Sequence, residues 1–202
     1  AATRKAFRTP LGLARVDEQF LSALAKRYRD ADLFGDEFAH ANEHTIELQV
    51  LYLQSVLQER TDDWAIVPIL VASCEDDVDD RRSPCERLEM RGFIDALRET
   101  IEGHPYPVCV IGGVDFAHVG PRFGDPQPLT DSMLETVARQ DRAMLDAVES
   151  VDGEAFVRSF FADGNSRNVC SIAPIYCVLK VLDGKTEGKT LRYGQAVDPD
   201  RN

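Results

Sequence analysis

An aspartate and a histidine three residues apart, Asp115 and His118, stand in the stretch 108–125 (VCVIGGVDFAHVGPRFGD), behind an apolar run and two glycines. At that spacing the two side chains meet if the segment makes a helical turn. Neutral imidazole binds a divalent metal through one nitrogen, and a carboxylate orients the ring through the other. Asp and His are equally at home in ordinary surface turns, so spacing alone leaves both readings open. A second group is Glu43, His44 and Glu47. His44 and Glu47 are i, i+3 neighbours and Glu43 and Glu47 are i, i+4 neighbours, which suits an acid/base or metal pair and equally suits capping of a helix start. A third is Cys170, which precedes a predicted helix, with Arg167 three residues earlier. A helix N-terminus and a guanidinium both lower a thiol pKa, the environment of a reactive or ligating cysteine; the alternative is a thiol buried against its neighbours. His104, between Gly103 and Pro105, is expected to face solvent, and His40 to lie in a loop.

These side chains need elements to hold them. Apolar spacing predicts helices over 17–28, from about Thr45 within the stretch 42–60, over 86–102, over 129–150, over 153–161, and from near Ser171 to 182. Asn42 or Thr45 is expected to cap the second, Gly103-His104-Pro105 to stop the third, and Pro174 to sit in the first turn of the last. Continuous apolar runs at 64–71, 108–111 and 191–197 read as strands, the first at an edge or bulge because of Pro68. Residues 74–84 read as an exposed acidic loop, 163–166 as a turn cluster and 198–202 as a frayed end. Strands interleaved with long helices predict an α/β fold, a mixed and largely parallel sheet flanked by helices, in a single domain over 1–202. Sites in such sheets lie beyond the carboxyl ends of strands, where 108–111 would deliver Asp115 and His118.

With 202 residues, 44% apolar and 29% charged, the chain can bury one sizeable core. A formal net charge of −12 argues against nucleic acid as a partner. No apolar run is long enough to span a bilayer, and the expected partners are small molecules or peptides rather than membranes. Five cysteines without CxxC or zinc-finger spacing suggest reduced thiols and a cytoplasmic protein, with Cys109 and Cys177 as core residues.

Taken in order, the motifs resemble the Memo-like proteins, also called AmmeMemoRadiSam system protein B. Glu43-His44-Thr45-Ile46-Glu47-Leu48-Gln49 is similar to that family's E-H-S-[IL]-E-x-Q. Asp115-Phe116 with His118, Gly120, Arg122 and Phe123 is similar to S-D-F-x-H-x-G-x-R-F, and Asn168-Val169-Cys170-Ser171 with Pro174 to N-x-C-G…P. Tyr193 and Gln195 match its closing Y-x-Q. The resemblance implies a fold like class III extradiol ring-cleavage dioxygenases and a pocket of three histidines and a cysteine linked to iron or copper, with zinc as a substitute. By position His118 and Cys170 would be metal ligands, and Glu43, His44, Asp115 and Cys170 would serve catalysis. The family's Pro-His-Ala-Gly-Tyr and Gly-Pro-Ser-His motifs lie upstream of its R-T-P-L, matched here by Arg8-Thr9-Pro10-Leu11, so the chain corresponds to the C-terminal portion of the family domain. Ser171 replaces the usual Gly, and Leu51 stands where many members have Pro.

Three functions follow from the resemblance: a non-haem iron or copper oxidoreductase of the dioxygenase type, a non-catalytic ligand- or peptide-binding scaffold without metal, and a metal-assisted hydrolase. It also implies association, either with itself or with the family's N-terminal segment.

Overall fold

The computed structural model describes residues 1–57, 64–198 and 200. The chain divides into two compact units: Ala1–Ala72 with Arg87–Gly113, and Ser73–Glu86 with Val114–Asn202.

In the first unit a hairpin of β1 (Phe7–Thr9) and β2 (Gly12–Ala14) leads into helix α1 (Glu18–Arg27). Asp17 caps α1 by accepting the Phe20 N–H at 2.8 Å through one carboxylate oxygen. Its other oxygen pairs with His104 Nε2 at 3.3 Å, just past the end of helix α4 (Leu88–Gly103). The His104 side chain is only 8% exposed and rests edge-on against Phe20, so the solvent-facing position expected for it is overturned. The reason is that its partner ion and aromatic neighbour both come from α1, far away in sequence. Phe20, Leu21 and Leu24 supply the α1 side of the core, with Ala2, Leu33 and Ala96. Burying each of these large side chains is worth about 1.5–3 kcal/mol. Helix α2 (Thr45–Val56) packs on β1, where the Thr9 hydroxyl hydrogen-bonds Gln54. The end of the stretch that predicted it, 58–60, lies outside the described residues. A Cβ on Gly113 would come within 3.2 Å of the Thr45 carbonyl and 3.0 Å of Gln49 Cγ, so glycine is what lets this backbone approach the start of α2.

The second unit is helical. Helix α3 (Glu75–Asp79) is followed by a 3-10 turn at Pro84–Glu86, a second one at Pro121–Phe123, and helices α5 (Asp131–Glu149), α6 (Gly153–Arg158) and α7 (Ile172–Leu182). Thr130 caps α5 and Asp152 caps α6, each accepting a main-chain N–H three residues on. Helix α6 packs against α5 and α7. Met144, Phe156, Phe160 and Tyr176 are fully buried there. The acidic loop expected at 74–84 contains the short helix Glu75–Asp79, and Cys74, Asp77, Val78 and Pro84 in it are buried. Ser83 explains why: its hydroxyl hydrogen-bonds Glu154 of α6 at 3.1 Å and Tyr176 of α7 at 3.0 Å.

The chain is thus mixed helix and strand. Among the described residues the only sheet is the antiparallel β1–β2 hairpin. The strand expected at 64–71 is reduced to single bridges, Ala2 with Ile69 antiparallel and Val16 with Ile66 parallel. Those expected at 108–111 and 191–197 have no strand beside them among the described residues, and Val108, Cys109, Ile111 and Leu191 are exposed. An apolar run is a strand only where another strand completes its hydrogen bonds. For the same reason Cys109 is exposed where a core position was expected, while Cys177 is buried. No helix among the described residues is long and apolar enough to cross a membrane.

Candidate functional site

The stretch after Gly113 makes no regular element until Pro121, and it is held from outside. The Asp115 N–H donates to the Ser171 hydroxyl at 3.2 Å, and the His118 N–H donates to the Arg167 carbonyl at 2.8 Å. Beyond it, Gly120 and Gly124 at φ 107° and 99° close a tight loop, with the Asp125 carboxylate accepting the Gly120 N–H at 2.6 Å. That loop places Phe123 edge-on to the His118 ring at 4.9 Å between centroids.

Opposite lies the connection from α6 to α7. Gly164, Asn165 and Asn168 have φ of 59°, 57° and 50°, the left-handed region that asparagine and glycine tolerate. The Asn165 side chain bonds both main-chain groups of Val169, at 2.9 and 3.1 Å. Arg167 is buried; its guanidinium donates to Asp141 of α5 at 2.7 Å and lies over the Phe160 ring at 5.2 Å. Asp141 also accepts the Tyr193 hydroxyl proton at 2.8 Å. Burial, then the hydrogen bond to Asp141, raises the Tyr193 pKa to about 12.

These two walls bring Asp115, His118 and Cys170 together, one ligand atom from each lying within 4.8 Å of the others. His118 Nε2 is 3.2 Å from one Asp115 oxygen. The other oxygen accepts from the Cys170 thiol and the Ser171 hydroxyl, both at 3.2 Å. His118 Nδ1 lies 3.1 Å from the Asn168 carbonyl, and the Asn168 amide donates to the His118 carbonyl at 3.1 Å. The contact between Asp115 and His118 forms without the helical turn that their spacing suggested. A cavity of about 800 Å³ opens beside it, lined by Phe116, Arg122, Phe123, Tyr193 and Gln195 among others.

The thiol corrects an expectation. Burial, and after it the Asp115 carboxylate, raises the Cys170 pKa, where Arg167 and the helix start were expected to lower it. The Arg167 charge is already spent on Asp141, and Cys170 stands two positions before Ile172, outside the first helical turn.

Glu43 and His44 belong to the first unit. Glu43 accepts the main-chain N–H of His44 at 2.7 Å and of Thr45 at 3.1 Å, and these bonds hold its carboxyl below the usual range. Its carboxylate also lies 3.2 Å from His44 Nδ1. The N-cap position is His44, without a side-chain capping bond, and neither Asn42 nor Thr45 caps the helix as expected; Glu43 instead accepts the N–H of its first residue, Thr45. Sequence reasoning named Asn168, Ser171 and Tyr193 only as motif residues, without their contacts, and missed Asp141 altogether. The signal available was the pair of asparagines flanking Arg167, since asparagine is the residue other than glycine that most readily turns left-handed.

The model of the family described as Memo-like protein matches residues 1–201. A MEMO1 family protein of Aquifex aeolicus is 28% identical over 188 residues, covering 92% of this chain and 44% of the relative. One of Thermus thermophilus is 30% identical over 193 residues, covering 96% and 51%. One of Methanopyrus kandleri is 26% identical over 198 residues, covering 97% and 59%. The chain spans about half the length of the curated relatives it matches. No solved structure matches it significantly.

Proposed function

The chain belongs to the Memo-like protein family, and from that premise we propose that Asp115, His118 and Cys170 form part of a transition-metal site in a non-haem, metal-dependent oxidoreductase. One observation carries the reading: a carboxylate, an imidazole and a thiol from three separate positions converge on one point. The donor set fits the group. Imidazole with thiolate suits iron, copper or zinc, and a carboxylate completes the three protein ligands typical of an open site. One donor atom from each residue lies within 4.8 Å of the others, and each of the two Asp115 oxygens has a second donor at 3.2 Å, a grouping compact enough to gather on one ion. Bound there, the metal would supply Lewis acidity and one-electron redox chemistry.

The residues themselves do the rest. Cys170 holds its proton until it ligates, because burial and the neighbouring carboxylate both favour the neutral thiol. Asp115, 3.2 Å from the sulfur, is the acceptor already in place for that proton. The Ser171 hydroxyl donates to the same carboxylate oxygen and keeps it oriented. The cavity beside His118 gives an organic substrate room, with Phe116 and Phe123 as apolar walls and Arg122 as a cation for an acidic group. The reading extends to the fold: 64–71, 108–111 and 191–197 are strands of a largely parallel, dioxygenase-like sheet in the whole family domain.

Metal analysis and Co²⁺ titration test this. The expected result is co-purifying or added iron or copper, and a thiolate-to-cobalt absorption band that is lost in Cys170→Ala and weakened in His118→Ala. Protein that takes up none of these ions, wild type included, would sink the reading. A second reading, a ligand- or peptide-binding protein without turnover, draws support from the same cavity; it predicts ligand uptake that survives His118→Ala and Cys170→Ala together.

A further inference from the structure

We propose that Asn168 is a positioning residue: its left-handed backbone aims its carbonyl at His118 Nδ1, fixing the ring in the Nδ1–H tautomer with the Nε2 lone pair turned toward Asp115 and Cys170. A main-chain carbonyl only accepts, so the 3.1 Å contact is a hydrogen bond when the imidazole Nδ1 carries the proton. In a neutral ring that leaves Nε2 without a hydrogen. Nε2 nonetheless faces an Asp115 oxygen at 3.2 Å, an arrangement that two lone pairs do not favour and that either a second proton on the ring or a bound cation resolves. Unconstrained histidine prefers the opposite tautomer, with the proton on Nε2, so the geometry works against the default.

Asn168 holds the ring in two ways. At φ 50° it adopts a left-handed backbone that costs a β-branched residue more than it costs asparagine or glycine, and its position is fixed by its own N–H donating to the Asn165 carbonyl at 2.9 Å. Its side-chain amide returns to the His118 carbonyl at 3.1 Å, closing a reciprocal pair across 50 residues of sequence. The preceding residue, Arg167, accepts the His118 N–H and is anchored by the buried ion pair to Asp141. Ring and backbone of His118 are therefore both held by consecutive residues of one strap. Second ligand-orienting contacts of this kind commonly govern metal affinity by a factor of 10–100.

The consequence for metal binding rests on the function proposed above; the tautomer does not. Long-range proton–nitrogen NMR of ¹⁵N-histidine protein without metal, at mildly alkaline pH, reads the tautomer directly. The His118 signal is assigned among the four histidines by its loss in His118→Gln. The expected pattern is Nδ1–H for His118. It should be retained in Asn168→Gly, which keeps the backbone and carbonyl, and lost toward Nε2–H in Asn168→Val. Co²⁺ affinity should fall about tenfold or more in Asn168→Val and less in Asn168→Gly. An Nε2–H signal in wild-type protein overturns the inference even if Asn168→Val fails to fold, and so does an unchanged tautomer in a folded Asn168→Val. Nδ1–H in wild type with no uptake of Co²⁺ supports the tautomer assignment and sinks the metal reading instead.

Discussion

A thiol, an imidazole and a carboxylate in mutual contact respond to substitution in ways their separate chemistries do not. Cys170 is exposed as a residue yet its thiol pKa is raised, first by burial of the sulfur and then by Asp115. Asp115→Asn removes the charge and leaves the burial. Alkylation of Cys170 by iodoacetamide near neutral pH, followed by mass spectrometry, should therefore speed up by a factor of a few in that variant, because a lower pKa gives more thiolate. A slower or unchanged rate would mean that the carboxylate does not act on the sulfur. Tyr193 gives a second reading at this scale. Its pKa, raised to about 12, lies above the value of about 10 in an unfolded chain, so folding suppresses its ionisation. The stability it contributes is complete below pH 10 and is lost as pH rises through about 12. Burial also raises the pKa of Tyr28 and Tyr176, so ultraviolet titration should show several late tyrosines, of which the one near pH 12 disappears in Tyr193→Phe, and urea unfolding of that variant should cost about 1.5–3 kcal/mol for the lost bond to a carboxylate.

At the scale of elements, the support beneath the site is a buried ion pair. Removing one partner leaves an uncompensated charge, so Arg167→Met should cost about 3–5 kcal/mol in urea denaturation. Replacing both, as Asp141→Leu with Arg167→Met, should recover most of that stability while failing to restore Co²⁺ affinity, since the Tyr193 bond and the anchoring of the strap are still missing. Recovery of both together would show that the pair matters only for stability. A parallel clip holds 73–86: Ser83, Tyr176 and Lys180 gather on Glu154. Burial works to raise the Glu154 pKa, but the hydrogen bonds from Tyr176 and Ser83 and the Lys180 charge outweigh it and leave it lowered. A lowered carboxyl pKa stabilises above the unfolded value of about 4.3 and loses that contribution as pH falls below it. Hydrogen exchange of 73–86 should accordingly quicken on acidification and, at neutral pH, in Glu154→Gln.

These elements also show what the sequence makes legible. Helices α1, α4, α5 and α7 appear within a residue or two of their apolar periodicity, because an α-helix completes its hydrogen bonds within itself. The runs at 64–71, 108–111 and 191–197 carry the composition of strands, but a strand is defined by its neighbour, and the neighbour is not local. The same division holds at the site. Asp115, His118 and Cys170 are visible as residue types, whereas Asn168 and Asp141 act through a backbone carbonyl and a buried pair that no spacing rule encodes.

For the molecule as a whole, the charge of −12 is the dominant property outside the site. Self-repulsion of that size weakens the folded state, and ions screen it within roughly 8–10 Å at physiological strength. Raising the salt concentration from low to moderate should raise the melting temperature; a fall would indicate that exposed attractive pairs such as Arg82–Asp80 outweigh the repulsion. A net negative charge also concentrates cations near the molecule and repels anions.

The route from Tyr193 through Asp141 and Arg167 to the backbone of His118 has a consequence in time as well as in space. His118 is synthesised well before the residues that hold it: Arg167 and Asn168 come later, and Tyr193 later still. At about 5–20 residues per second, several seconds separate the first of these from the last. A nascent chain paused between them carries the imidazole and Asp115 but neither the carbonyl that sets the ring nor the thiol beside it. Competence for a metal would then be acquired as a late event of synthesis, and stalled chains should resist loading until Tyr193 has left the ribosome.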